Sequence, residues 1–168
     1  MALIPRQITT QLLAAGKNYP IVTLTGPRQS GKSTLLRHEL PDYRYVSLED
    51  PDMRMFAHDD PRGFIATYPN KTIIDEAQRV PELFSYLQTH IDTVGDSGMY
   101  FLAGSHNFLL MQSVSQSLAG RTAILKLLPF SHTETMNAGI TAIPVDDEIF
   151  KGGYPRLYDR EIPPENYY

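Results

Sequence analysis

Residues 26–33 read Gly26-Pro27-Arg28-Gln29-Ser30-Gly31-Lys32-Ser33, a glycine, four free positions and then Gly-Lys-Ser. That spacing belongs to a loop whose backbone N–H groups fold around phosphate oxygens. Gly26 and Gly31 permit a close backbone approach that a Cβ would obstruct. Lys32 supplies a point charge for the β and γ phosphates, and Ser33 offers a hydroxyl to a magnesium ion bridging them. A helix opening at Ser33-Thr34 adds the positive end of its dipole. The chemistry expected of the loop, from Gly26 through Thr34, is capture of ATP with Mg²⁺.

A second pair of groups fits this chemistry. Asp75 and Glu76 close the apolar run Ile73-Ile74, and ligands of open α/β sheets gather at the carboxyl ends of strands. Asp75 there can hold magnesium through its waters, while Glu76 can take a proton from an attacking water. Taken alone, the two are solvated acids at a strand end, and it is the upstream loop that favours the catalytic reading. Ser105, His106 and Asn107 end a neighbouring apolar run. Ser105 or Asn107 could orient the water or touch the γ-phosphate, and either could equally cap a helix over Phe108-Leu109-Leu110-Met111. Arg121 could meet developing phosphate charge from a neighbouring subunit, a role that implies a homo-oligomer. A salt bridge is its other reading. Arg28 and Arg79 are lesser candidates for the same task. The five histidines show no zinc spacing. His58-Asp59-Asp60 reads as a polar loop, and Asp146-Asp147-Glu148 as a helix start.

These groups need a scaffold. Ile8, Leu12 and Leu13 share a helical face that should stop at Gly16. Ile21–Leu24 reads as a buried strand, and the helix after the loop should end before Pro41. Tyr43–Leu48 is a second strand. The stretch 49–61, with Asp50-Pro51 and Asp60-Pro61, is connecting structure holding one short helix. Lys71–Glu76 is a third strand, and Pro81 opens a helix with Leu83, Phe84, Leu87 and Ile91 on one face. Met99–Ala103 and Ala123–Leu128 are the last strands. Strands separated by helical segments imply right-handed crossovers and a parallel sheet covered on both faces. The fold class is α/β: a P-loop NTPase core with a five-stranded, mainly parallel sheet. Ser131-His132-Thr133-Glu134 carries a helix cap, and Gly152-Gly153-Tyr154-Pro155 is irregular.

At 168 residues, 42% of them hydrophobic, the chain suffices for one domain and an appendage. It has no cysteine and a formal net charge of −4. Disulfides and thiolate metal sites are excluded, and the net charge supports no broad nucleic-acid surface, leaving nucleic acid a possible partner only through a local basic patch. Neither a signal peptide nor an apolar run of about 18 residues is present, so the expectation is a cytoplasmic chain without a membrane partner.

With Ile-Ile-Asp-Glu-Ala-Gln at 73–78, Ala-Gly-Ser at 103–105, Ser-Leu-Ala-Gly-Arg at 117–121, Leu-Pro-Phe-Ser at 128–131 and Gly-Gly-Tyr-Pro at 152–155, the chain resembles a family of bacterial and archaeal AAA-type ATPases. In that family an ATP-binding domain precedes a conserved domain of uncharacterised function. The resemblance implies an AAA-like core, ATP and magnesium as ligands, the roles given above for Lys32, Asp75 and Glu76, and a sensor at Ser105. His106 departs from the small polar residue expected beside it. Members are longer, so residues 1–130 are expected to form the ATP-binding domain, and 131–168 the start of a second domain in a truncated chain. The leading functional expectation is Mg²⁺-dependent ATP hydrolysis coupled to an unidentified conformational or partner-remodelling task, with an unidentified protein as partner. The alternative is a nucleotide-gated binding module without turnover. Asn70-Lys71-Thr72-Ile73 lacks the final acid of a guanine-reading motif, and no arginine-rich lid follows, which disfavours a GTPase or a kinase.

Overall fold

A computed structural model describes residues 3–105, 114, 116–139 and 150–159. Helix α1 spans Thr9–Asn18, strand β1 Ile21–Gly26, helix α2 Lys32–Glu39 and strand β2 Arg44–Ser47. Helices α3 (Pro51–Asp59) and α4 (Pro61–Thr67) lead to β3 (Thr72–Asp75). A 3₁₀ turn at Ala77–Arg79 precedes α5 (Leu83–Val94), β4 (Tyr100–Ser105) and β5 (Thr122–Lys126). Short helices at His132–Asn137 and Pro155–Asp159 follow. The strands form one sheet in the order β2-β3-β4-β1-β5, and every neighbouring pair is parallel. The expected α/β sheet is therefore present and wholly parallel.

Strand side chains alternate between two apolar layers. Tyr100, Leu102 and Ile74 pack with Phe64, Phe84 and Leu87 beneath α4 and α5. Phe101, Ala103, Ile73, Val22 and Leu24 pack with Leu12 and Leu36 beneath α1 and α2. The central strands β1 and β3 are buried along their whole length, as parallel strands covered on both faces must be. Leu83, Phe84, Leu87 and Ile91 form the buried face of α5, which ends at Gly95 in the left-handed conformation.

Several boundaries differ from expectation. Gly16 does not end α1, which runs on to Asn18. The missing Cβ makes room for Phe101, whose ring tip would lie 2.7 Å from it. The stretch after Glu49 holds two helices, because each Asp-Pro junction is a cap followed by a proline in the first helical turn. Asp50 accepts from the backbone N–H of Asp52 and Met53, and Asp60 from that of Gly63. The last strand is Thr122–Lys126, earlier than the expected 123–128, and α5 begins two residues after Pro81. Ser131 and Glu134 form the expected capping box. The readings at His106, Asn107, 108–111 and 146–148 lie outside the described residues. No helix among the described residues is long and apolar enough to cross a membrane.

Candidate functional site

The loop between β1 and α2 leaves the carboxyl edge of the sheet. Gly26 pairs in register with Ser105 of β4, and Ser47 of β2 with Asp75 of β3, so the ends of four strands share one rim. Gly26 has φ +155°, and a Cβ there would stand 2.0 Å from the carbonyl oxygen of Leu127. Only glycine fits this approach. Gly31, at φ +92°, hands the loop to α2. Ser30 is buried, and its hydroxyl donates to the Pro27 carbonyl at 2.9 Å, holding the loop closed on itself.

Lys32 is buried, and its ammonium donates to the carbonyls of Gly26 at 3.0 Å and Pro27 at 2.7 Å. Burial pulls the Lys32 amine below its ordinary value, against the opposing charges of Glu76 and Asp75. Ser33 Oγ donates to Asp75 Oδ2 at 2.6 Å. Tyr45 of β2 donates to the same carboxylate oxygen at 2.7 Å, and the Glu76 backbone N–H donates to Asp75 Oδ1 at 3.0 Å. Burial, then the bond to Asp75, pushes the Tyr45 hydroxyl up to about 12, so it remains a donor at neutral pH.

Glu76 leaves the strand in the left-handed conformation, φ 53° and ψ 40°, which turns its carboxylate away from the line of β3. Gln78 Nε2 donates to that carboxylate and, at 3.2 Å, to Ser105 Oγ. A carboxylate only accepts hydrogen bonds, so the amide must present its NH₂ to Glu76. Its buried carbonyl oxygen Oε1 then finds no donor among the described residues.

A cavity of about 450 Å³ opens over these groups. Arg28, Gln29, Gly31, Lys32, Ser33 and Thr34 line it from the loop and α2, Glu49 and Glu76 from the strand ends, and Pro155 and Arg156 from the C-terminal segment. Its size falls within the usual range of small-molecule sites. The C-terminal segment is docked: Phe130 N–H donates to the Gly153 carbonyl at 2.7 Å, Phe130 and Tyr158 meet edge to face, and Leu157 is buried. Arg6 ties the loop to the same region. Its guanidinium donates to Ser30 O at 3.0 Å, Leu128 O at 2.6 Å and Glu134 Oε1 at 3.1 Å, and lies 4.7 Å from the centre of the Phe130 ring. Burial acts to raise the Glu134 carboxyl, but N–H groups of Ser131 and Gln7 and the Arg6 guanidinium together hold it below its ordinary value.

The structure thus brings together Lys32, Ser33, Asp75, Glu76 and Ser105. It does not bring Arg121 to them within one chain. Arg121 precedes β5 at the amino end of the sheet, where its carbonyl accepts from Ile21 N–H, and its guanidinium forms a two-pronged pair with Asp92 at 2.6 and 2.9 Å. Arg79 pairs with Glu49 at the cavity rim. Sequence spacing did not single out Tyr45, Gln78, Arg6 or Arg156. Tyr45 and Arg6 act across strand order and chain ends, to which local patterns are blind. Gln78, two residues after Glu76, stood within the quoted run 73–78, and Arg156 directly follows the quoted Gly-Gly-Tyr-Pro at 152–155.

Residues 18–136 match the sequence model of a family described as AAA domain. Two curated relatives, the uncharacterized proteins Mb2031c of Mycobacterium bovis and Rv2008c of Mycobacterium tuberculosis, are each 33% identical over 158 residues. The match covers 92% of this chain and 34% of each relative, so the chain spans about a third of their length. Among solved structures, the Walker-type ATPase PABY2304 of Pyrococcus abyssi superposes with TM-score 0.56 at 16% identity, over 86% of this chain and 61% of that one. AMPPCP-bound DnaA from Aquifex aeolicus gives TM-score 0.59 at 16% identity, over 89% and 56%. The chain belongs to the AAA-type P-loop ATPase family.

Proposed function

We propose that the chain binds Mg·ATP in this cavity and hydrolyses its terminal phosphoanhydride. The observation that carries the reading is the convergence of Lys32, Ser33 and Glu76 on one cavity at the mouth of a glycine-bounded loop, with Asp75 hydrogen-bonded to Ser33 beside it. Ser33 and Asp75 are hard oxygen donors hydrogen-bonded to each other. No group of three or more His, Asp or Glu gathers at metal-holding distance among the described residues. This donor set fits magnesium, which takes one or two carboxylates and completes its shell with waters and phosphate oxygens. When bound, the ion neutralises charge on the β and γ oxygens.

The chain's own residues supply the rest. Loop amides and the N-terminus of α2 receive the phosphates. Lys32 exchanges its two carbonyl partners for phosphate oxygens, a favourable trade for an ammonium in a partly dry site. Glu76 accepts a proton from water as that water's oxygen bonds to the γ-phosphorus and the bond to the β–γ bridging oxygen breaks, releasing ADP and phosphate. Ser105, held through Gln78, orients the water or the γ-phosphate. Arg121 serves in trans from a neighbouring copy, because its own site lies at the other end of the sheet. A finger so placed contributes roughly 10³–10⁵ in rate. Turnover drives a conformational change that remodels a protein partner in the cytoplasm. The domain carrying this work is residues 1–130, and the described part of the C-terminal appendage packs against it beside the cavity.

One observation favours a nucleotide-gated module without turnover: Glu76 is held by Gln78, and Arg121 by Asp92. Glu76→Gln separates the two readings. Hydrolysis predicts that ATP binding is kept and phosphate release falls by about 10²–10⁴, while Lys32→Ala weakens binding itself. Unchanged turnover in the Gln variant rejects the base assignment. No phosphate release from the unaltered protein at any concentration selects the gated module.

A further inference from the structure

Asp75 is held from three directions. Ser33 donates from α2, the Glu76 N–H from the next residue, and Tyr45 from the neighbouring strand. Ser33 and Tyr45 share Oδ2. Tyr45 pairs in register with Ile73, two residues before Asp75, so its side chain must lean about 6.6 Å along the strand to reach that carboxylate. A tyrosine spans this gap. Serine and threonine are too short for it, and phenylalanine has no donor. The Arg37 guanidinium lies 5.0 Å from the centre of the Tyr45 ring, which ties the ring to α2 and orients the hydroxyl.

We propose that Tyr45 is a positioning residue that fixes the Asp75 carboxylate for the divalent cation and so sets how much magnesium the site requires. The inference rests on the Mg·ATP reading. A cation held at Ser33 draws on the serine oxygen that now faces Asp75. The Tyr45 bond reaches Asp75 from β2, outside the loop, and so keeps the carboxylate in place during that exchange. Outer partners of metal-holding carboxylates act in this way, and their loss costs about 10–100-fold in metal affinity or activity.

Tyr45→Phe removes the hydroxyl and keeps the ring against Arg37. Binding of a fluorescent ATP analogue is followed by anisotropy, first in EDTA and then across a magnesium titration. The expected result is an unchanged affinity in EDTA and a half-effect magnesium concentration raised about tenfold. In an Asp75→Asn background the same substitution should add little, since its effect passes through that carboxylate. A half-effect concentration within twofold of the unaltered protein overturns the inference while leaving the Mg·ATP reading intact. So does an equal loss of affinity in EDTA, which would make Tyr45 a packing residue. An unaltered protein whose analogue binding ignores magnesium overturns both.

Discussion

Replacing Arg6 with methionine tests whether the loop and the C-terminal segment share one buried anchor. The side chains of Arg6 and Glu134 are only 6% and 7% exposed, and the substitution deletes donors to Glu134, Ser30 and Leu128 while keeping an apolar stem of similar length. Removing one partner of a buried pair costs about 3–5 kcal/mol. Glu134 keeps the Ser131 and Gln7 N–H groups, which places the expectation near ~3 kcal/mol, at the lower end. At this chain size that loss corresponds to a melting shift of about 6–12 °C. Urea unfolding at constant m-value gives the free energy directly. The pH dependence follows from the Glu134 carboxyl, whose folded value is depressed. Such a group stabilises above its unfolded value, and its contribution is lost as pH falls through the folded one. The gap between Arg6→Met and the unaltered protein is therefore full at neutral pH and narrows on acidification below the ordinary glutamate value of 4.5. A loss under 1 kcal/mol, or a gap that widens in acid, would refute the anchor.

Two other substitutions probe the site and the core. Arg156→Ala should weaken nucleotide binding about tenfold, ~1.4 kcal/mol, by calorimetry at low salt, with the difference shrinking as salt rises because the side chain is exposed; equal affinities would remove Arg156 from the site. Gly16→Ala places a Cβ 2.7 Å from the Phe101 ring and should destabilise by ~1–2 kcal/mol despite the better helix propensity of alanine. A more stable variant in thermal melts would show that the ring gives way.

The loop and the acidic pair are legible in the chain because their geometry is local: Gly26 to Ser33 lie within one turn, and Asp75-Glu76 at the end of one strand. The buried face of α5 is legible for the same reason. Tyr45 is not, because its role depends on β2 lying beside β3, which no spacing along the chain reveals. Arg6 meets Glu134 across 128 positions of the chain, a separation no local pattern bridges. Gly16 reads as a stop because its reason for lacking a side chain, the Phe101 ring, is distant in sequence. The Asp-Pro junctions read as loops because their caps look like turns until the helices that follow them are seen.

Strand order also bears on how the molecule assembles. β1, which leads into the loop, pairs with strands beginning at Tyr100 and Thr122 and with neither of its nearer neighbours in the chain. Helices α3 and α4 carry their own start signals, but contacts of such long range are slow to close. During synthesis from the amino terminus, the stretch bearing Lys32 leaves the ribosome well before either partner strand, and exposes an apolar β1 in the meantime. A gene shortened before Lys126 should yield aggregation-prone material, and a chaperone that shields this early stretch should raise the yield of folded protein.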